Sequence, residues 1–148
     1  MTTGLIVVAA VLLASSAFAL WRRRTDGRLR EINVTQGAQS DSEQRGEILR
    51  AEQLGRELGS QATLVQFSSA FCQPCRATKV ILTAVAESTE GVRHIEIDAE
   101  SHLDLVREVG IMRTPTTLIL DGEGRITARA TGVPRKDQVL AAIGRTLP

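Results

Sequence analysis

Cys72 and Cys75 are the only two cysteines of the 148-residue chain, and only Gln73 and Pro74 separate them. A bridge between residues so close closes too small a loop to serve as a structural staple, and a disulfide scaffold spreads more cysteines along its chain. The spacing suits thiol–disulfide exchange, in which one thiolate attacks and a second resolves the mixed disulfide. That chemistry needs a stabilised thiolate. A helix beginning at the first cysteine provides one, through unpaired N–H groups and a partial positive charge at its N-terminus. Pro74 fits the first helical turn, where its missing N–H costs nothing. Cys72 is therefore the candidate nucleophile and Cys75 the resolving thiol, with Arg76 and Lys79 adding positive charge nearby. Arg76 either biases Cys72 toward thiolate or is simply a solvated helix residue.

Zinc is the rival use of such a pair. Structural zinc wants four ligands, and only His94 and His102 could complete the set. They are spaced more widely than the three to five intervening residues of common zinc motifs. No metal and no organic cofactor is expected, so the reducing equivalents must come from another protein.

The elements that must position the cysteines follow from hydrophobic pattern. Thr63-Leu64-Val65-Gln66-Phe67 reads as a buried strand, and Ser68 to Phe71 as the loop that delivers the chain to Cys72. Gln73 to about Ser88 is expected to be a helix with Val80, Ile81, Ala84 and Val85 inward. Val92 to Asp98 reads as a second strand. Ser101 and Asp104 are expected to cap a helix carrying Leu103, Leu105, Val106 and Val109, ended by Gly110. Thr116 to Asp121, the turn Gly122-Glu123-Gly124 and Ile126 to Ala130 form a hairpin. Pro134 opens a last helix with Val139, Leu140, Ala142 and Ile143 inward. Upstream, Ile48, Leu49, Ala51, Leu54 and Leu58 recur at helical spacing before Gly59. The order β-α-β-α-β-β-α implies an α/β fold, a mixed central sheet flanked by helices.

Met1 to Trp21 holds no charged side chain, and Arg22, Arg23 and Arg24 follow at once. As a helix, residues 4–21 would span roughly 27 Å, close to the ~30 Å hydrocarbon core of a bilayer. A secretory signal would carry its positive charge before the apolar run, although Ala17-Phe18-Ala19 resembles a cleavage site and keeps that alternative open. The expectation is a retained single transmembrane helix, with 1–24 the anchor and its basic flank, 25–46 a flexible linker with at most one short ordered piece, and 47–148 the globular domain. Because positive flanks stay inside, the protein is expected in the cell membrane with its C-terminal domain cytoplasmic. The extracytoplasmic placement is the alternative. A net charge of +1 and only three Phe and one Trp argue against a nucleic-acid partner.

Residues 62–146 resemble the thioredoxin superfamily, and the likeness extends beyond the cysteines. Leu64-Val65-Gln66-Phe67 leading to Cys72-Gln73-Pro74-Cys75-Arg76 is similar to the family's active-site strand and loop. Ile95-Glu96-Ile97-Asp98 resembles its next strand. Thr114-Pro115-Thr116 stands where the family places a cis-proline against the cysteines, and Gly132 where it has a glycine flanking the substrate groove. The resemblance implies a thioredoxin fold, a protein-disulfide oxidoreductase and substrate positioning by Thr114, Pro115 and Gly132. If Pro115 is cis, the Thr114 backbone could pair with an extended substrate segment.

The departures bear on mechanism. The family's prototype has a buried aspartate where this chain has Gln66, which cannot titrate, and a lysine where it has His94. Its tryptophans near the first cysteine are replaced by Phe71 and Ser68, and its mid-helix proline by Val80. His94 or water could take over the proton transfer, or His94 could merely pack. The expected protein is a membrane-tethered reductase of protein disulfides, a monomer fed by an upstream electron donor. A dedicated partner-binding or redox-sensing module, or an extracytoplasmic thiol-delivery protein of the cytochrome-maturation type, are the alternatives.

Overall fold

The computed structural model describes residues 2–25, 29–31 and 47–146. Among the described residues five strands form one sheet: β1 (Leu29–Glu31), β2 (Ala62–Ser68), β3 (Val92–Asp98), β4 (Thr116–Asp121) and β5 (Ile126–Thr131). Their order is β1-β5-β4-β2-β3. β2 runs parallel to β3 and antiparallel to β4, so the sheet is mixed, as the element order implies. The helices are α1 (Thr2–Thr25), α2 (Ala51–Leu54), α3 (Gln73–Ser88), α4 (Leu103–Glu108) and α5 (Lys136–Thr146).

All seven residues of β2 are buried, because helices cover both faces of this central strand. Alternation along the strand divides its side chains between two cores. Val65 and Phe67 join Leu118, Leu120 and Leu105 on the α2/α4 face. Leu64 joins Leu82, Val85, Val139 and Ile143 on the α3/α5 face. The same period turns Gln66 toward α3, where it is fully buried. A polar side chain in that position must find partners inside the fold.

Several boundaries differ from the sequence reading. The helix expected over Ile48 to Leu58 is a single turn, α2, ended by Gly55 in the left-handed conformation. Before it, Ile48 bridges to Arg125 as extended chain. On α3 the buried positions are Cys75, Thr78, Leu82 and Val85, while Val80 is exposed. On α5, Leu140 is partly exposed and Val139, Ala142 and Ile143 face inward. Ser101 does not cap α4: its hydroxyl donates to Asp98, and His102 occupies the cap position. In each helix the apolar stripe is narrower than the apolar residues available, so some of them remain in solvent.

Part of the segment expected to be a flexible linker is the edge strand β1, which pairs antiparallel with β5 from Leu29↔Ala130 to Glu31↔Ala128. Residues 26–28 and 32–46 of that expected linker lie outside the described residues. α1 is helical for 24 residues, and Ile6, Val7 and residues 10–21 within it are exposed. Among the described residues no helix is long and apolar enough to cross a membrane. Residues 4–21 of the expected span lie within α1, and membrane crossing is not shown for them.

The hairpin turn is held closely. Asp121 accepts the N–H groups of Glu123 and Arg125, both at 2.9 Å. Gly124 has φ 86°, and a Cβ there would stand 2.3 Å from the Leu49 carbonyl oxygen. Gly124→Ala is therefore expected to lower unfolding stability by about 1–3 kcal/mol. Gly144 on α5 has open space around its Cβ position, so Gly144→Ala is expected to raise stability by about 0.5–1 kcal/mol. Urea midpoints of the two variants against the parent check both signs.

Candidate active site

Cys72 is the N-cap residue of α3, with Pro74 in the first turn. Its sulfur is bonded to Cys75 with an S–S length of 2.00 Å and a Cα–Cα separation of 5.2 Å. The Cys75 N–H donates to the Cys72 sulfur at 3.1 Å. The helix N-terminus therefore does what the Cys-Gln-Pro-Cys spacing anticipates: it aims a backbone donor at the sulfur that will carry negative charge after reduction. Cys72 is half-buried, whereas Cys75 is 3% exposed. An incoming disulfide can reach only the first. Gln73 and Arg76 are exposed, and the Arg76 guanidinium donates to the Gln73 side chain.

The loop before β4 is tied to the loop that precedes Cys72. The Thr114–Pro115 bond is cis, and Pro115 is buried. The Gly132 N–H donates to the Pro115 carbonyl at 2.8 Å, with Gly132 at φ 88°. The hydroxyls of Thr114 and Ser69 lie 3.1 Å apart, tying this loop to the one that delivers Cys72. Phe71 and Met112 are 99% and 92% exposed, one beside Cys72 and the other two residues before Thr114. No interior contact accounts for such large apolar side chains in solvent.

Beneath the cysteines runs a chain of hydrogen bonds. The Gln66 amide donates to the Cys75 carbonyl at 2.9 Å and to the Ser68 hydroxyl at 2.8 Å. Ser68 donates to Glu96 at 2.8 Å, and Glu96 pairs with Lys79 at 2.7 Å. On its other side the Gln66 carbonyl oxygen lies 3.2 Å from His94 Nε2, and His94 Nδ1 lies 3.1 Å from the Thr83 hydroxyl. Gln66 Oε1 can only accept, so His94 carries its proton on Nε2 and accepts from Thr83 at Nδ1. The neutral ring satisfies both partners.

Burial holds the His94 pKa below its ordinary value; Glu96 pulls it the other way and Lys79 reinforces the fall. Burial alone would raise the Glu96 pKa, but hydrogen bonds from Lys79 and Ser68 hold it below the usual carboxylate range. As pH falls, the unfolded chain takes up the His94 proton first. The neutral ring's contribution to stability is present above the unfolded pKa, about 6.5, and is lost as pH falls toward the lower folded value. The urea midpoint of the parent protein is expected to drop between pH 7.5 and 5.5, and His94→Asn is expected to lack most of that drop.

The expected residues thus fall into three groups. Cys72, Gln73, Pro74, Cys75 and Arg76 lie together at the start of α3, while Thr114, Pro115 and Gly132 belong to one loop cluster linked to the Cys72 loop through Ser69 and Thr114. Gln66 and His94 lie behind the disulfide, joined to Cys75 through a backbone carbonyl. Sequence reading missed Ser69, Thr83 and Glu96. Glu96 had a usable signal: it lies two residues from His94 on β3 and pairs in register with Gln66.

An open cleft of about 420 Å³ adjoins the disulfide, with Cys72, Cys75, Arg76, Lys79, Glu96 and Asp98 among its walls. Among the described residues, no group of three or more His, Cys, Asp or Glu side chains is placed to hold a metal.

Comparison with known proteins gives the same reading. The thioredoxin family model matches residues 47–145. Thioredoxin of Chlamydia trachomatis serovar D is 24% identical over 99 residues, covering 67% of this chain and 96% of that protein. Human thioredoxin domain-containing protein 2 is 29% identical over 87 residues, 59% of this chain, but the match spans only 16% of that protein. Among solved structures, chloroplastic thioredoxin z superposes with a TM-score of 0.55 at 27% identity, covering 69% of this chain and 94% of the other. Spinach chloroplast thioredoxin f gives 0.53 at 27% identity, covering 60% and 78%. A disulfide at the N-terminus of α3, a cis-proline immediately before β4 and a family match over residues 47–145 make this chain a member of the thioredoxin family.

Proposed function

We propose that the protein is a reductase of protein disulfides, held at a membrane by α1 with its globular domain on the cytoplasmic side. The observation that carries the thiol–disulfide exchange reading is the Cys75 N–H aimed at the sulfur of the half-buried Cys72, with Cys75 itself buried beside it. After reduction, Cys72 attacks a substrate disulfide, forming a mixed disulfide and releasing one substrate thiol. Cys75 then attacks Cys72, releases the second thiol and restores the Cys72–Cys75 bond. Phe71 and Met112 give an apolar rim for the substrate, and the Thr114 backbone pairs with an extended segment of it. An upstream protein thiol returns the electrons, and the working unit is a monomer.

The tether is supported by the 24-residue helix and by its exposed Leu12, Leu13, Phe18 and Trp21, which gain from burial in lipid. Arg22 to Arg24 then favour a cytoplasmic domain. The deciding experiment equilibrates the full-length chain with glutathione buffers and reads the thiols by alkylation and mass. A reductase is expected to lie near the thioredoxin end, about −270 mV, while a value approaching about −120 mV would make the protein a disulfide donor. Alkaline extraction of membranes from expressing cells tests the tether: the full chain should stay in the pellet.

A further inference from the structure

The cleft beside the disulfide is opened by small side chains. Ser68, Ser69 and Ala70 line it, and Ser68 stands where the family's prototype carries a tryptophan. At about 420 Å³ it is within the size range of small-molecule sites, roughly 300–1,000 Å³. Its charged walls come in two signs: Arg76 and Lys79 on α3, Glu96 and Asp98 on β3. Hydrogen bonds keep both carboxylates ionised, Glu96 through Lys79 and Ser68 against the pull of burial, Asp98 through the Ser101 hydroxyl and the Glu100 N–H. The Lys79–Glu96 pair leaves an ammonium with further donors and a carboxylate with further acceptor positions. A ligand that presents both an ammonium and a carboxylate within reach of a sulfur matches this wall. A neutral disulfide leaves those charges unused.

We propose that the cleft binds one half of a zwitterionic, amino-acid-type disulfide, so that the protein reduces low-molecular-weight disulfides of the cystine class as well as protein disulfides. The proposal rests on the thiol–disulfide reading of Cys72 and Cys75. The Cys72 thiolate attacks one sulfur of the small disulfide; a Cys72–S bond forms, the small S–S bond breaks, and the first half leaves as a thiolate that takes a proton from solvent. Cys75 gives its proton to water and attacks the Cys72 sulfur, forming Cys72–Cys75 and expelling the second half as a thiolate. The protein loses two electrons and the small disulfide gains two. A dithiol reductant resets the protein.

The test uses the full-length chain, reduced with dithiothreitol and desalted. It is mixed separately with cystine, with neutral bis(2-hydroxyethyl) disulfide and with insulin, and oxidation of Cys72 and Cys75 is followed by alkylation and mass. The cystine-to-neutral rate ratio is divided by the same ratio for free dithiothreitol, which removes intrinsic leaving-group differences. The corrected ratio is expected to be about tenfold or more in favour of cystine. Ala70→Trp, which plugs the cleft from an exposed position, is expected to return it to about one, and Glu96→Gln to lower it severalfold. A corrected ratio of one in the parent protein overturns the proposal, as does a ratio that neither variant moves. If Ala70→Trp loses reaction with all three disulfides, Glu96→Gln decides alone. Insulin separates the two failures: oxidation by insulin without cystine preference sinks only this inference, and no oxidation by any disulfide sinks the oxidoreductase reading beneath it.

Discussion

Cys72→Ser is expected to bring insulin reduction with dithiothreitol as donor down to the rate of dithiothreitol alone, a loss of at least about a thousandfold in the protein's own contribution. The serine hydroxyl has a similar shape but does not ionise near neutral pH, so the Cys75 N–H aimed at position 72 has no thiolate to stabilise. Cys75→Ser separates the two roles. Its Cys72 still attacks, but nothing behind it resolves the product, and a Cys72-linked mixed disulfide should accumulate and be visible by mass. The asymmetry follows from access, since Cys75 is 3% exposed and Cys72 is half-buried. Capture by Cys72→Ser and none by Cys75→Ser would reverse the assignment of nucleophile and resolving thiol. Many captured proteins would mean a general reductase, and one would mean a dedicated partner.

The parts of this site that sequence makes legible are those with strong local grammar. A cysteine pair at a strand-to-helix junction, a proline at the second helical position and a Thr-Pro before a β-strand each carry their reason within a few residues. The buried run of β2 and the alternation of β3 likewise yield the central strands to within a residue. What escaped depends on long-range pairing. The contact between Ser69 and Thr114 joins residues 45 apart, and Ser68 meets Glu96 across 28. Their chemistry appears only once β2 lies between β3 and β4. The inward face of α3 failed for a related reason. Leu82 and Val80 are equally apolar in sequence, and only the packing of the helix against β2 and α5 decides which is buried. The short edge strand β1, Leu29-Arg30-Glu31, has no apolar pattern of its own and owes its place to the open edge of β5.

Gln66 is the residue where a substitution should reach furthest. It is fully buried, and it joins His94, Ser68 and Cys75 in one network. Gln66→Leu keeps the volume but leaves the His94 N–H without an acceptor, removes a donor from the Cys75 carbonyl and deprives Ser68 of a partner. Stranded polar groups inside a fold cost about 1–3 kcal/mol each. Relaxation around the partly exposed His94 will recover some of that, so a loss of about 2–4 kcal/mol is expected from urea unfolding at pH 7.5. Gln66→Glu makes a sharper test. It can still accept from His94, but it places an acid where there is no solvent, and burial raises such a carboxyl's pKa. The folded variant then holds a proton that the unfolded chain has already released. Its stability should therefore fall as pH rises above the unfolded value of about 4.3 toward the raised folded value. The parent protein should move the opposite way between pH 5.5 and 7.5, because His94 is buried neutral. Opposite slopes from one amide-to-acid change would show that an acid at position 66 is cut off from solvent, since an exposed carboxyl would leave the slope unaltered. The same variant puts a titratable group within reach of the Cys75 backbone, and mixed-disulfide release should acquire a pH dependence that the neutral amide does not supply.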